Sequence, residues 1–254
     1  MPPLTQQTFT WFCQDPDWKN KFLIGSLMFL AGTIVPLVGW LGAIIALGYS
    51  VAVWRAILRD EPPRLPDWDH YEHFFLDGLK AILAGVLYLL PIFALVALAL
   101  LFLFGGLTLA ILADANGDAP AAQTLVPFLI GYAGFFVLIF VISLLSVFLA
   151  VPYAIAIGQY VRTGQVSAGY RVGQVWRIFR ANAGGFIGAF ATHWALGIAL
   201  SCVTFALYLT IILCLLNQFV LAPTLFYQIL MWAFLFAHAY RRAVQNLGAE
   251  ALAK

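Results

Sequence analysis

The chain has 254 residues, of which 63% are hydrophobic and only 9% charged, with a net charge of +2 at neutral pH. A water-soluble domain carries about 25% charged residues, so this chain cannot dress a surface for water and must use lipid as solvent for much of its length. The small positive balance does not suit a nucleic-acid binder, and three cysteines without a C-x-x-C spacing give neither a disulfide frame nor a zinc site.

In chain order, residues 1–14 are a short polar lead-in. Asp15-Pro16-Asp17-Trp18 reads as a helix start: Asp15 suits the cap, Pro16 the first helical position, and Asp17 the positive end of the helix dipole. A first span is expected over 22–38, broken at Pro36 and Gly39, and a second over 40–58, ending at Arg55 and Arg59. Together they are too long for one straight crossing and predict a tight hairpin. No A-x-A cleavage site follows the first run, so it reads as mature structure rather than a signal peptide. The Pro-rich stretch 60–67 is a loop. Asp69-His70-Tyr71-Glu72 has capping-box spacing, and a third span follows over 79–104. Residues 113–123 carry Asp114, Asn116, Asp118 and Pro120 with no positive residue, the clearest loop on the far side. A fourth span covers 125–160. It exceeds what a bilayer needs, so it tilts, kinks at Pro152, or leaves the membrane in its last turns.

Over 165–182 the pattern changes. Arg171, Gln174, Arg177 and Arg180 recur every three residues against Val175, Trp176 and Phe179, as in a basic amphipathic helix lying in a membrane interface. A fifth span is expected over 184–216, a very short turn at Asn217-Gln218, and a sixth span over 218–241.

All 13 Lys and Arg fall in alternate gaps between these runs or within a turn of the runs' ends there. Cytoplasmic loops collect such residues, so both termini are expected in the cytoplasm. The expected fold is all-α: one membrane domain over residues 1–254, a polytopic bundle of six transmembrane helices in three hairpins, plus the interfacial helix. Pro16-Asp17-Trp18 recurs as Pro66-Asp67-Trp68, a hint of an internal repeat. Interfacial Trp and inward Arg account for much of the same pattern without duplication.

No Asp, Glu, Lys or Arg lies deep within an expected span, which disfavours a proton or sodium pathway. The intramembrane polar set is neutral. His193 is its sharpest member, and Thr192, Ser201, Tyr153 and Gln159 are the other binding candidates. A histidine at that depth could ligate a haem or chlorophyll or touch a substrate, but an imidazole bonded to a facing helix is the commoner outcome. His238 does not match its depth. Small hydroxyl residues more often join neighbouring helices than bind a solute. Asp67, Asp69, Glu72, Asp77, His70 and His73 form an acidic cluster that reads as helix-start charge rather than a metal site. No cofactor, metal or catalytic residue is indicated.

Asp15-Pro16-Asp17-Trp18-Lys19, Val35-Pro36-Leu37-Val38-Gly39-Trp40, Leu47-Gly48-Tyr49, Leu65-Pro66-Asp67-Trp68 and Phe75-Leu76-Asp77-Gly78-Leu79-Lys80 resemble one membrane family of bacteria and archaea, domain of unknown function four-zero-one-three. The resemblance spans nearly the whole chain and is sharpest in its first third. It implies a multi-helix protein of a prokaryotic plasma membrane and carries no catalytic residue.

On this reading the chain is a non-enzymatic accessory or scaffold subunit of a membrane assembly. The alternative is a transporter or channel for a neutral or lipid-like solute. The expected partners are the bilayer, anionic headgroups on the cytoplasmic face, and membrane proteins or further copies of the chain.

Overall fold

The computed structural model describes residues 6–62, 64–114, 121–208 and 217–248. Among these there is no strand. A helical turn at Gln6–Phe9 and a 3-10 turn at Trp11–Gln14 lead into α1, Trp18–Ile34. The following helices are α2 (Pro36–Leu58), α3 (Tyr71–Asp114), α4 (Ala121–Thr163), α5 (Val172–Ala181), α6 (Ala183–Tyr208) and α7 (Asn217–Leu247). A second 3-10 turn, Val166–Tyr170, stands before α5.

Within the described residues the apolar runs are helical, but the helices do not stop where the runs stop. The third expected span, 79–104, sits inside α3, and the segment expected at 165–182 divides into a 3-10 turn and the ten-residue α5. An apolar run marks the part that prefers hydrocarbon. The backbone remains helical past it until a cap or turn intervenes. Residues 115–120 of the expected far-side loop, and 209–216 of the expected fifth span, lie outside the described residues.

Among the described residues five helices are long and apolar enough to cross a membrane: Leu37–Leu58, Tyr71–Asp114, Leu125–Thr163, Ala183–Tyr208 and Asn217–Leu247. The most apolar stretch of α4 has a mean hydropathy of 2.9 and is only 6% buried. A soluble monomer rarely exposes an apolar patch beyond a few hundred Å². The surface suits hydrocarbon, and the chain is a multi-pass membrane protein.

Contacts divide the chain into two compact units, Met1–Gly85 with Ala154–Lys254, and Val86–Tyr153. In the first unit α7 is the central helix. It packs against α1, α2, α5 and α6 and buries Phe226, Leu230, Met231, Phe236 and Tyr240. Helices α1 and α2 fold back on one another through the single residue Val35, with Pro36 in the first turn of α2. Pro36 cannot continue α1, because its ring lacks the N–H and clashes with the preceding turn. The hairpin foreseen in the sequence is therefore present. Helices α2 and α3 approach closely at Gly48 and Gly78, where an added Cβ would collide with the Phe74 and Ile44 carbonyls respectively.

The second unit is a pair of helical segments, one from α3 and one from α4. They cross at Gly106 and Gly131, whose α-carbons leave no room for a side chain between them. Small residues at a crossing let two backbones meet closely where no hydrophobic effect drives association.

Candidate functional site

The polar side chains of the first unit gather into three nodes. The first centres on Asp15, which is 2% exposed. Its Oδ1 accepts the Asp17 N–H at 2.8 Å. Its Oδ2 accepts from Lys21 Nζ at 2.9 Å and from the Leu65 N–H at 3.0 Å. Lys21 also donates to the Leu65 carbonyl at 2.8 Å and pairs with Asp67 at 2.8 Å. Trp68 Nε1 donates to the Lys21 carbonyl at 2.8 Å. Tyr49 then closes the node: its hydroxyl donates to the Pro66 carbonyl at 2.9 Å, and its ring stacks on Trp68 with centroids 4.2 Å apart.

Burial alone would raise the Asp15 carboxyl. The Lys21 ammonium and the Asp17 and Leu65 N–H groups outweigh it and hold the acid below its ordinary range. The carboxylate therefore stays charged at neutral pH.

The Asp15 result revises the sequence expectation. Asp15 does not cap α1; the residue before α1 is Asp17, whose side chain makes no capping bond. A carboxylate that reads locally as a cap instead joins two segments 50 residues apart. The two Pro-Asp-Trp copies do meet, since Asp15 and Lys21 flank the first and bind Leu65 and Asp67 around the second.

The second node joins α2, α3 and α4. Arg55 grips Asp77 with both terminal nitrogens, Nη2 to Oδ1 at 3.0 Å and Nη1 to Oδ2. The buried Tyr160 hydroxyl donates to Asp77 Oδ1 at 2.8 Å. A planar guanidinium matches a carboxylate in this two-bond fork, which lysine cannot do. The Gly48–Gly78 contact brings α2 and α3 near enough for it. In the third node Arg241 on α7 binds the Asp60 carboxylate and donates to the Ile57 carbonyl at 3.2 Å.

These nodes pair acid with base. Among the described residues no three of His, Cys, Asp and Glu gather as metal ligands. Of the acidic cluster, Asp67 is paired with Lys21 and Asp77 with Arg55, while the His70 and His73 rings meet edge to face.

The binding candidates named from sequence are dispersed. His193 and Thr192 are half-buried on α6, and among the described residues His193 Nδ1 has no hydrogen-bond partner. His238 Nδ1 is bonded to the Phe234 carbonyl of its own helix at 2.8 Å. Ser201 is exposed on α6 in a groove of about 750 Å³ shared with Trp194, Thr204 and Tyr208, which His193 and Thr192 do not line. Gln159 is buried on α4 with its amide nitrogen unpartnered among the described residues, and Tyr153 is half-buried on the same helix. On α5, Val175 and Ile178 are buried while Arg177 and Arg180 are exposed; Arg171 is exposed just before it. Trp176 faces outward at 52% exposure and stacks on Phe179, with the Arg180 guanidinium 4.9 Å from its ring centre.

Sequence reasoning missed Lys21, Tyr49 and Tyr160 as members of a common polar framework. A signal was present: most residues of the first two nodes lie in or beside the motifs that carry the family resemblance. No curated protein and no solved structure matches the chain. Residues 28–209 match the family described as Protein of unknown function (DUF4013), a stretch that includes Tyr49, Arg55, Asp67, Asp77 and Tyr160. The chain belongs to that family.

Proposed function

We propose that the protein is a non-enzymatic accessory or scaffold subunit of a membrane assembly. The supporting observation is the pairing of charged side chains with one another: Lys21 with Asp15 and Asp67, Arg55 with Asp77, Arg241 with Asp60. A group locked in a bidentate pair holds helices together and is not free to carry a proton or a substrate. The apolar hairpin Val86–Tyr153, with Phe93, Leu101, Phe140 and Phe148 more than half exposed, supplies surface for lipid or membrane partners.

The proposed topology has six spans. Helix α1 joins the five longer ones; its 17 residues extend about 25 Å, near the lower limit for crossing the hydrocarbon. Both termini face the cytoplasm of a prokaryotic cell, and α5 lies at the inner face of the plasma membrane. Its Arg171, Arg177 and Arg180 meet anionic headgroups beside the Trp176 ring.

Extraction in mild detergent followed by mass spectrometry of copurifying proteins tests the reading. A reproducible membrane partner, lost when Phe140 and Phe148 are both changed to serine, is the expected result. A monodisperse protein without partner, from cells at native expression level, would sink it. A second reading, passage of a neutral solute, draws on the Ser201, Thr204 and Tyr208 groove. Thermal stabilisation by a neutral solute, abolished in Ser201→Leu, would favour that reading instead.

A further inference from the structure

We infer that the seam between α1 and α7 is a binding groove for one acyl chain of an anionic phospholipid, with its phosphate at Lys19. The inference rests on the reading of α1 as a membrane span.

The groove encloses about 350 Å³ and lies wholly within the first unit. Its walls are apolar: Phe22, Leu23, Leu27 and Leu30 from α1, Phe219 and Pro223 from α7. Leu23, Leu27 and Phe219 are 56%, 50% and 62% exposed, so the groove opens outward along its length. Ser26 also borders it, but its hydroxyl is bonded to the Phe22 carbonyl at 2.8 Å and offers no polar demand.

Only one end of the groove carries charge. Trp18 and Lys19 stand there, in the first turn of α1. Lys19 is exposed and, among the described residues, forms no ion pair. Its neighbour Lys21 is by contrast held by Asp15 and Asp67. One lysine of the pair is thus built into the fold and the other is available. Trp is the side chain that settles at headgroup level, with an apolar body and a polar N–H.

The dimensions select the occupant. From Lys19 to Leu30 the helix rises about 17 Å, close to the roughly 15 Å of hydrocarbon in one leaflet. The groove therefore matches one leaflet's depth of acyl chain, apolar along its length and ending at a cation.

The test uses full-length protein in detergent, titrated with dioleoyl phosphatidylglycerol or dioleoyl phosphatidylcholine and read by native mass spectrometry. The wild type is expected to retain one phosphatidylglycerol in preference to phosphatidylcholine. Lys19→Gln should weaken phosphatidylglycerol binding about five-fold and leave phosphatidylcholine unchanged, as expected for one lysine at an anionic surface. Leu27→Trp fills the groove from its exposed side and should weaken both lipids. Leu23→Trp does so from a second position if Leu27→Trp folds poorly. Unchanged phosphatidylglycerol retention in Lys19→Gln and in the folded tryptophan variant would overturn the proposal. So would a dimer peak lost in Leu27→Trp with lipid binding unaffected, which would assign the groove to a second copy. Carbonate extraction of the source membranes separates the two levels: protein that stays in the membrane while the lipid test fails sinks the groove alone, and protein released by carbonate sinks the span.

Discussion

Asp15 accepts a hydrogen bond from the backbone N–H of Leu65 at 3.0 Å, across 50 residues of sequence. The same carboxylate holds Lys21, and Lys21 in turn holds the Leu65 carbonyl and Asp67. The segment before α1 is thereby fastened to the loop between α2 and α3. Removing the carboxylate leaves the Asp17 and Leu65 N–H groups without their acceptor and Lys21 with one acid in place of two. Asp15→Ala should therefore lower stability by about 2–4 kcal/mol. Asp17→Ala, whose side chain makes no capping bond, should change it by less than about 0.5 kcal/mol. Unfolding midpoints in detergent compare the two, and equal effects would refute the fastening role.

The same node predicts a pH profile. Asp15 is held below its ordinary value in the folded state, so its contribution is present above the unfolded carboxylate value, about 3.9, and is lost as pH falls through the lower folded value. Its share of the stability should be constant across neutral pH and fall away in acid. In Asp15→Asn the acid limb should flatten, as seen in melting temperature against pH.

Tyr160→Phe removes a buried hydroxyl from a charged acceptor, Asp77, and should cost about 1.5–3 kcal/mol. Arg55→Lys breaks the two-bond fork on the same acid and should also destabilise. Since both act on one carboxylate, the double variant should be less destabilised than the sum of the singles. A double-mutant cycle with strictly additive effects would show that the three residues do not act together.

Gly48→Ala would drive a Cβ into the Phe74 carbonyl, a backbone atom that cannot swing aside. It should cost about 1–3 kcal/mol through overpacking of the α2–α3 crossing. Gly105 has nothing within 4 Å of its added Cβ, and Gly105→Ala should gain up to about 1 kcal/mol from helix propensity. Opposite shifts in melting temperature are the expected readout.

The proposed topology places Arg64 and Asp118 on opposite faces of the membrane. Single cysteines at these positions, in a chain freed of Cys13, Cys202 and Cys214, should label from opposite sides with an impermeant reagent. Residue 118 lies outside the described residues, so the expectation rests on the Lys and Arg distribution alone. Labelling of both from one side would end the six-span reading.

The hairpin at Val35-Pro36 and the existence of the long helices were legible in the residues, because proline and apolar length act locally. The role of Asp15 was not. An aspartate directly before Pro-Asp-Trp looks like a cap, and only the arrival of Leu65 and Lys21 gives it another use. The central position of α7 left no trace in hydropathy, since a helix facing lipid and one facing other helices both read as greasy.

Hydropathy and charge along the chain determined by themselves that this is a helical membrane protein, because partition into hydrocarbon depends on each segment taken singly. Which acid meets which base, which helix stands in the centre and which lysine stays unpaired were decided by the tertiary structure. Those relations exist only once Asp15 lies against Leu65 and Asp77 between Arg55 and Tyr160, and no local pattern sets a distance across 50 or 83 residues.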